Sequence, residues 1–240
     1  MNDRVSMHPA LAAYRHRWIV IARTADVPAG HLFHGRLLGE ELAVWRNNAG
    51  HINVWENRCP HRGVRLTIGS HLGDQLQCRY HGWRYATGSG GCVHIPAHPN
   101  ETPPARIGVK VFRALERSGF IWASTEEPSS EPASIAHLPA DHHPLRSAIM
   151  RAPAEVVAAA LLRHAFAPAG GTAQRIDPLT VVVRHATGQE TLRWLIQPST
   201  VDTSIVYGVH AATVGGAWLE AAQQLNASLQ SLRSTIEAQT

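Results

Sequence analysis

The stretch CPHRGVRLTIGSHLGDQLQCRYHGW, residues 59–83, carries two cysteine–histidine motifs that decide how the chain is interpreted. In the first motif His61 lies two positions after Cys59, and in the second His81 lies three positions after Cys78. Thiolate and imidazole ligands together suit zinc or an iron–sulfur cluster. The pattern therefore predicts a metal centre and leaves both kinds of centre open.

The spacing within the motifs helps to distinguish a zinc site from an iron–sulfur cluster. Zinc sites usually space their paired ligands by two to four residues, whereas only one residue separates Cys59 from His61. The alternative is a [2Fe–2S] cluster in which two histidines replace two cysteines on one iron. The two cysteines would then hold the inner iron and the two histidines the outer iron. Three residues suit tight loops whose N–H groups point at the sulfurs: Pro60, Gly63 and Gly82.

The motifs also carry a family resemblance. NRCPHRGVRL (57–66) and LQCRYHGWRY (76–85) resemble the Rieske domain of bacterial Rieske non-haem iron oxygenases, the ring-hydroxylating and demethylating family. The resemblance runs from about Tyr14 to Ala123, roughly half the chain. It implies a Rieske [2Fe–2S] cluster as cofactor, with the two cysteines and two histidines of the motifs as its ligands.

The resemblance is to the oxygenase branch of the Rieske proteins. Respiratory-chain Rieske proteins carry an additional cysteine in each loop, joined as a disulfide, and the corresponding positions here are Val64 and Tyr80. Trp83 is expected to pack beside its loop rather than to carry electrons.

Composition narrows the class of protein. Hydrophobic residues make up 44% of the chain, enough for a buried core, and the net charge of +4 is too mild and too dispersed to indicate nucleic-acid binding. Three cysteines are too few for a disulfide framework, and Cys92 is expected to be a free or buried thiol. Neither a signal peptide nor a membrane-spanning segment is expected, so the sequence predicts a cytoplasmic location.

Hydrophobic patterning predicts an α+β protein with two domains. Residues 1–125 are predicted to be an all-β Rieske domain, and residues 126–150, rich in proline, serine and acidic residues, a connector. Within the connector, Asp141, His142 and His143 are adjacent and would point to opposite sides, so no metal role is expected. The predicted strands of the first domain are 17–23, 31–39, 41–46, 51–57, 108–116 and 118–124.

Residues 151–240 are predicted to form a small α+β domain. A helix over 153–166 precedes strands over 179–185, 191–197 and 204–212. The resemblance implies that this domain is a truncated helix-grip (START-like) domain. An amphipathic final helix is predicted from residues spaced by four and three: Trp218, Ala222, Leu225, Leu229, Leu232 and Ile236.

The resemblance also shows what the second domain lacks. Family members mark their catalytic iron with Asn-x-x-Asp-x-x-His-x-x-x-x-His on the first long helix, and a late carboxylate completes the set of ligands. Aligning His164 with the first histidine places Ala158 and Leu161 at the Asn and Asp positions and Ala169 at the second histidine. A mononuclear Fe(II) is therefore not expected, and His164 is expected to be a core residue.

Two functional hypotheses follow. The first is an auxiliary Rieske electron-transfer subunit without catalytic residues, which passes single electrons from a ferredoxin or flavin reductase to a partner oxygenase in a mixed, trimer-based oligomer. The alternative is a complete mono- or dioxygenase or demethylase whose iron ligands are rebuilt. Candidate ligands for that site are His164, His185, His210, Asp202 and Glu220. A third, structural hypothesis is a degenerate product with no redox task.

Overall fold

The structure, a computed structural model, describes residues 7–128, 142–166, 169–211 and 218–239. The chain divides into two compact units. The amino-terminal unit is Arg15–Ser129, and the carboxy-terminal unit combines Met1–Tyr14 with Ser130–Thr240. The sequence-based boundaries assign residues 1–14 to the first domain instead. No helix in the described residues is long and apolar enough to cross a bilayer.

The amino-terminal unit is built from ten short strands in three antiparallel sheets, with the orders β1-β10-β9, β2-β3-β4 and β5-β6-β7-β8. The hairpin predicted around residues 46–51 is confirmed: it joins the second and third strands of its sheet, and Gly50 takes a φ of 83° in the turn. The strands are β1 (Ile19–Arg23), β2 (Leu32–Leu37), β3 (Glu40–Arg46), β4 (Ile52–Glu56), β5 (Ser70–His71), β6 (Gln75–Gln77), β7 (Arg84–Ala86), β8 (Cys92–His94), β9 (Arg113–Arg117) and β10 (Phe120–Ser124).

The sheet β5-β6-β7-β8 was not predicted as strands. Its members are two or three residues long, too short to show the alternation that identifies a strand in sequence. Tertiary packing fixes it, because Leu76 and Tyr85 are paired across β6 and β7 and are both fully buried. This small sheet positions the second cysteine–histidine motif.

A hydrophobic cluster joins the β2-β3-β4 sheet to the two motifs. Trp45 and Trp55 meet edge to face, with ring centroids 5.0 Å apart. Cys59, Cys78 and Tyr85 belong to the same buried cluster. Both motif cysteines are therefore held by the core of this unit.

The carboxy-terminal unit packs two longer helices on one antiparallel sheet. The sheet order is β11-β16-β15-β14-β13, and β12 also pairs with β16. Helix α2 packs on β13, β14 and β15, and α3 packs on β12 and α2. The elements are α1 (Pro9–Ala12), β11 (His142–Pro144), β12 (Ala148–Met150), α2 (Ala154–Arg163), β13 (Thr172–Asp177), β14 (Thr180–Arg184), β15 (Glu190–Pro198), β16 (Ser204–Ala211) and α3 (Trp218–Glu237).

The structure confirms both predicted helices and the three predicted strands of this unit, and it corrects three details. The predicted connector contributes β11 and β12, which form by pairing with β16. The His-His-Pro sequence of β11 does not indicate a strand, and β12 is only three residues long. Helix α2 ends at Arg163 because His164 is extended, with a ψ of 132°. The final helix buries five of the six predicted residues, whereas Trp218 is 39% exposed.

Candidate metal centre

The first motif forms a tight loop over residues 59–64, called loop A. Loop A follows strand β4 and precedes a short 3₁₀ turn that begins at Leu66. The amide of Cys59 donates to the carbonyl of Val64 at 2.8 Å, and the amide of Gly63 donates back to the carbonyl of Cys59 at 2.8 Å. These two bonds close the loop on itself, so the side chains of Cys59 and His61 project from a fixed backbone.

The second motif, residues 78–83 or loop B, repeats this arrangement. It connects β6 to β7, and the amide of Cys78 donates to the carbonyl of Trp83 at 2.8 Å. The amide of Gly82 donates back to the carbonyl of Cys78 at 3.0 Å. In both loops the cysteine amide thus bonds to the carbonyl five residues later, and a glycine four residues later bonds back to the cysteine. The two loops share one frame although their histidines occupy different positions.

Both loops need glycine at the fourth position after the cysteine. Gly63 has a φ of 75° and Gly82 a φ of 69°, in the left-handed region that side chains rarely adopt. A Cβ on Gly82 would also lie 3.0 Å from Cγ of Pro96, and one on Gly63 would lie 3.2 Å from Nε of Arg58. The sequence predicts tight loops at these two glycines, and their backbone angles confirm the prediction.

The four predicted ligands line one cleft. The two cysteines are buried, whereas both histidines are exposed. The rings of His61 and His81 have centroids 4.8 Å apart. Loops A and B therefore bring together two sulfur atoms on the inner side and two imidazoles on the outer side of the same cleft.

Aromatic rings hold the two histidines. Trp83 stacks flat on His61, with ring centroids 4.3 Å apart and an interplanar angle of 5°. Tyr80 lies against His81, with ring centroids 3.8 Å apart. Trp83 therefore packs beside the loops as the sequence analysis predicts, and it does so directly on a predicted ligand from the other loop.

Burial shifts the pKa values of the Cys78 thiol and the His61 imidazole in this cleft. Burial raises the pKa of the Cys78 thiol, and the neighbouring Cys59 raises it further. Two buried thiolates are therefore unfavourable without a nearby positive charge, and a metal ion supplies one. Burial, His81 and Arg62 lower the pKa of His61, which favours the neutral imidazole that binds metals.

Tyr85 is a further residue of the site that the sequence analysis missed. Its hydroxyl lies 3.1 Å from Sγ of Cys59, and the side chain is fully buried. Burial and the Cys59 thiol raise the pKa of Tyr85, so the phenol stays protonated and is available to donate to Sγ of Cys59. The sequence signal was weak, since Tyr85 is the central residue of a three-residue strand.

The set of ligands fits a two-iron cluster. Among the described residues, no three His, Cys, Asp or Glu side chains converge closely enough to hold one metal ion. A [2Fe–2S] cluster of this kind spreads its four ligands over two irons. Two buried thiols and two exposed imidazoles across one cleft match that arrangement.

Two other candidates near the motifs have different roles. His71, the third histidine of the quoted stretch, donates through Nε2 to the carbonyl of Arg46 at 2.6 Å and accepts from the amide of Gly73. Cys92 is a free, buried thiol, as predicted, and pairs with Tyr85 across β7 and β8. Burial raises its pKa, so it is a protonated core residue at neutral pH.

The histidines considered for a second iron site lie on separate elements of the carboxy-terminal unit. His164 caps α2, and its Nε2 lies 2.8 Å from Oγ of Ser228 on α3. His185 is exposed in the turn after β14. His210 is only 2% exposed on β16, and its Nδ1 has no hydrogen-bond partner among the described residues. In the described part of the chain, these side chains form no group of three potential ligands.

The remaining candidates are also engaged elsewhere. Asp202 accepts from the hydroxyls of Thr200 and Thr203 in the β15–β16 turn, and Glu220 accepts from Gln224 on α3. His143 pairs with His210 across β11 and β16 and stacks on Trp218. Asp141, from the Asp-His-His run, lies outside the described residues.

Comparison with known proteins finds a matching family model and relatives for the amino-terminal unit. The family model of the Rieske [2Fe-2S] domain matches residues 17–113. The oxidoreductase NdmD of Pseudomonas putida is 50% identical over 120 residues, which are 50% of this chain and 20% of NdmD. The iron–sulfur subunit TsaM1 of the toluene-4-sulfonate monooxygenase system of Comamonas testosteroni is 36% identical over 115 residues, 48% of this chain and 32% of TsaM1.

The likeness in fold extends over both units. The structure of NdmA from Pseudomonas putida CBB5 superimposes with a TM-score of 0.75 at 19% sequence identity, over 96% of this chain and 83% of NdmA. At that identity the match establishes the fold alone. The chain spans between a fifth and a third of the length of NdmD and TsaM1.

Proposed function

Because residues 17–113 are a Rieske [2Fe-2S] domain, we propose that this protein is an electron-transfer component of a Rieske oxygenase system. It accepts single electrons from a ferredoxin or flavin reductase and passes them to a partner oxygenase. The relatives NdmD and TsaM1, an oxidoreductase and an iron–sulfur subunit of a monooxygenase system, support a place in such a system.

The proposal assigns four ligands to the cluster. Cys59 and Cys78 hold the inner iron, because their sulfur atoms are buried in the core of the amino-terminal unit. His61 and His81 hold the outer iron, because their rings are exposed at the mouth of the same cleft. When bound, the cluster supplies one-electron redox chemistry at a potential of about −150 to +300 mV.

The protein surrounds the cluster with groups that favour its reduced form. Tyr85 donates to Cys59 from the buried side, where its hydrogen bond offsets part of the negative charge that reduction adds. The exposed histidine edges give a partner protein access to the outer side. Cys59 and Cys78 must be available as thiolates for cluster assembly, and we therefore place the protein in the reducing environment of the cytoplasm.

One observation carries the proposal: loops A and B share a hydrogen-bonded frame that brings all four predicted ligands to one cleft. The candidate histidines of the carboxy-terminal unit, His164, His185 and His210, lie at the end of a helix, in a turn and on a strand. We assign that unit a role in assembly with the partner oxygenase, in a mixed, trimer-based oligomer. The domain limits of the proposal are 1–125 for the Rieske domain, 126–150 for a connector and 151–240 for a shortened helix-grip domain.

Metal analysis and electron transfer test the proposal together. Purified protein is expected to contain two irons and two acid-labile sulfides per chain, and its reduced form to give the rhombic low-temperature EPR signal of a Rieske cluster. Mixed with an electron-donating reductase, it should be reduced by one electron per chain. A third, tightly bound iron together with substrate-dependent oxygen consumption would contradict the proposed role.

The likeness in fold to NdmA over both units favours a second candidate, a complete oxygenase with a non-standard iron site. His164 separates the two functions. An oxygenase that uses His164 as a ligand loses turnover in His164→Ala with an unchanged cluster spectrum, whereas an electron-transfer component keeps its electron-transfer rate. Ser228→Ala is the matched control, because it removes the same hydrogen bond and leaves the imidazole in place.

A further inference from the structure

The cluster loops present unbalanced positive charge. Residues 57–66 and 77–85 contain five arginines and no aspartate or glutamate. Arg65 forms an ion pair with Glu41, with two N–O distances of 2.7 Å, and Arg84 is half-buried. The three others are exposed and have no ion pair among the described residues: Arg58, Arg62 and Arg79.

Many cations elsewhere in the same unit are neutralised. Arg46 is held by Glu116 through two bonds of 2.6 Å, and Lys110 lies 3.1 Å from Glu40. Two further pairs do the same on the surface: Arg23 with Asp26 and Arg113 with Glu127. Arg17 and Arg106 of this unit are also exposed without an ion pair among the described residues, but the three other such arginines lie in or beside the cluster loops. The positive potential of those three attracts acidic partners to the point where the cluster ligands reach the surface.

An exposed aromatic residue lies within this charged surface. Tyr80 is 59% exposed and packs on His81, while Arg62 lines the same cleft from the other loop. Tyrosine and arginine are the residue types enriched at the energetic centres of protein interfaces. An exposed tyrosine next to a proposed cluster ligand and among arginines has the composition that is typical of a protein–protein interface.

We propose that Arg62, Arg79 and Tyr80 form the docking surface for an acidic, one-electron carrier protein. This inference rests on the proposed function and specifies the chemistry of the electron donor. Carboxylates of the carrier pair with the two arginines, and Tyr80 packs against the carrier next to His81. The carrier is oxidised by one electron and the Rieske protein is reduced by one, with no bond formed or broken.

Rapid-mixing reduction kinetics test the docking surface. The probe is a reduced plant-type [2Fe–2S] ferredoxin, an acidic carrier whose reduction potential lies below the Rieske range, so electrons flow toward the cluster. The reference reductant is the methyl viologen radical cation, a small molecule that needs no docking surface. For the unaltered protein, the rate with ferredoxin is expected to fall steeply as salt rises from about 0.01 to 0.5 M, because screening shortens the range of the attraction.

Charge reversal localises the effect. Arg62→Glu and Arg79→Glu are each expected to slow reduction by ferredoxin about fivefold at low salt, and the double variant by more than about tenfold, with the difference vanishing at high salt. Tyr80→Ser is expected to slow it about threefold or more at both salt concentrations, because an uncharged contact is lost. Rates with methyl viologen should not fall in the arginine variants, because the introduced carboxylates do not repel a small cation.

Arg113→Glu is the matched control, since it changes the charge of the same unit equally on a different sheet. It should retain the rate with ferredoxin to within about twofold. The docking surface is refuted if Arg113→Glu slows reduction as much as Arg62→Glu, if the viologen rates fall in parallel, or if ferredoxin fails to reduce protein that viologen reduces. A purified protein without a Rieske EPR signal would instead contradict the proposed function itself.

Discussion

Loops A and B of the amino-terminal unit and the histidines of the carboxy-terminal unit are two ways of distributing metal-binding residues. In the loops, each cysteine and histidine lie two or three positions apart on a backbone closed by two hydrogen bonds. In the carboxy-terminal unit, His164, His185 and His210 lie at the end of a helix, in a turn and on a strand. Ligands on closed loops converge because the local backbone aims them, whereas ligands on separate elements converge only if tertiary packing aims them.

The largest effect is expected when one candidate ligand is removed from loop A and one from the carboxy-terminal unit. Cys59→Ala is expected to lose essentially all cluster iron, because a single remaining cysteine cannot hold the inner iron. His185→Ala should keep the full two irons per chain. Iron and sulfide analysis of the purified variants provides the measurement.

Cys92→Ala is the control for the loss of a buried thiol, and it should keep the cluster. Iron retained at normal levels in Cys59→Ala would break the comparison, since the loops would then not be the binding site.

The glycine of loop B offers the next largest effect. Gly82→Ala places a side chain at a φ of 69° and 3.0 Å from Pro96, and should lower the free energy of unfolding by about 2–3 kcal/mol. Gly88→Ala has a similar φ of 73° with open space around it, so only the backbone cost of about 1 kcal/mol applies. Thermal unfolding followed through the cluster absorbance compares the two. Equal losses would mean that contact with Pro96 does not shape the loop.

Tyr85 tests whether the buried side of the cleft tunes the cluster. Tyr85→Phe removes the donor to Cys59 and should lower the reduction potential by about 20–65 mV, equivalent to a hydrogen bond of about 0.5–1.5 kcal/mol. The sign follows because the donor stabilises the more negative, reduced state. A redox titration followed by EPR measures the shift.

Tyr207→Phe, which removes a buried hydroxyl bonded to Gln197 in the other unit, should leave the potential unchanged. A higher potential in Tyr85→Phe would contradict the assignment of Tyr85 as a donor.

The smallest effect concerns the buried histidine of the second region. Burial, with His143 nearby, lowers the pKa of His210 in the folded protein, so the unfolded chain binds the proton more readily. The contribution of neutral His210 to the free energy of unfolding is fully present above the unfolded pKa of about 6.5 and is lost as the pH falls toward the folded pKa. The loss between pH 7 and 6 is at most about 0.7 kcal/mol.

Hydrogen exchange of the amides in β15 and β16 at the two pH values measures this loss. His210→Leu should reduce the pH dependence, while His185→Ala, which alters an exposed residue, should preserve it. An unchanged pH dependence in His210→Leu would assign it to another group of the unit, such as His164, whose pKa burial lowers.

Local pattern was enough for some parts of the fold and failed for others. The final helix followed from its apolar spacing, and the strands around residues 41–57 followed from alternation and the turn at Gly50. Strand β13 has an exposed and half-buried pattern without an apolar face, and β11 contains two histidines and a proline. Such strands exist because a neighbouring strand offers hydrogen-bond partners, and that information is absent from their own residues.

The candidate site likewise contains some residues that the sequence predicted and others that it did not. The four predicted ligands were visible because chemistry restricts them to cysteine and histidine at short spacing. Tyr85 was not visible, because a tyrosine in a short strand looks like any core aromatic residue. The basic surface of Arg62 and Arg79 was also hidden, since the sequence shows arginines but not which of them lack a carboxylate partner.

The sequence by itself indicated a metal centre, the ligand identities that we propose and the need for glycine at two turns, because these depend on residue type and on spacing within six positions. The choice of an iron–sulfur cluster came from the family resemblance. Only the tertiary structure decided that the two loops face one cleft, that Trp83 of one loop stacks on His61 of the other, and that Tyr85 reaches Cys59 from the core. These contacts join residues from different elements, and their distances are set by how the sheets pack rather than by spacing along the chain.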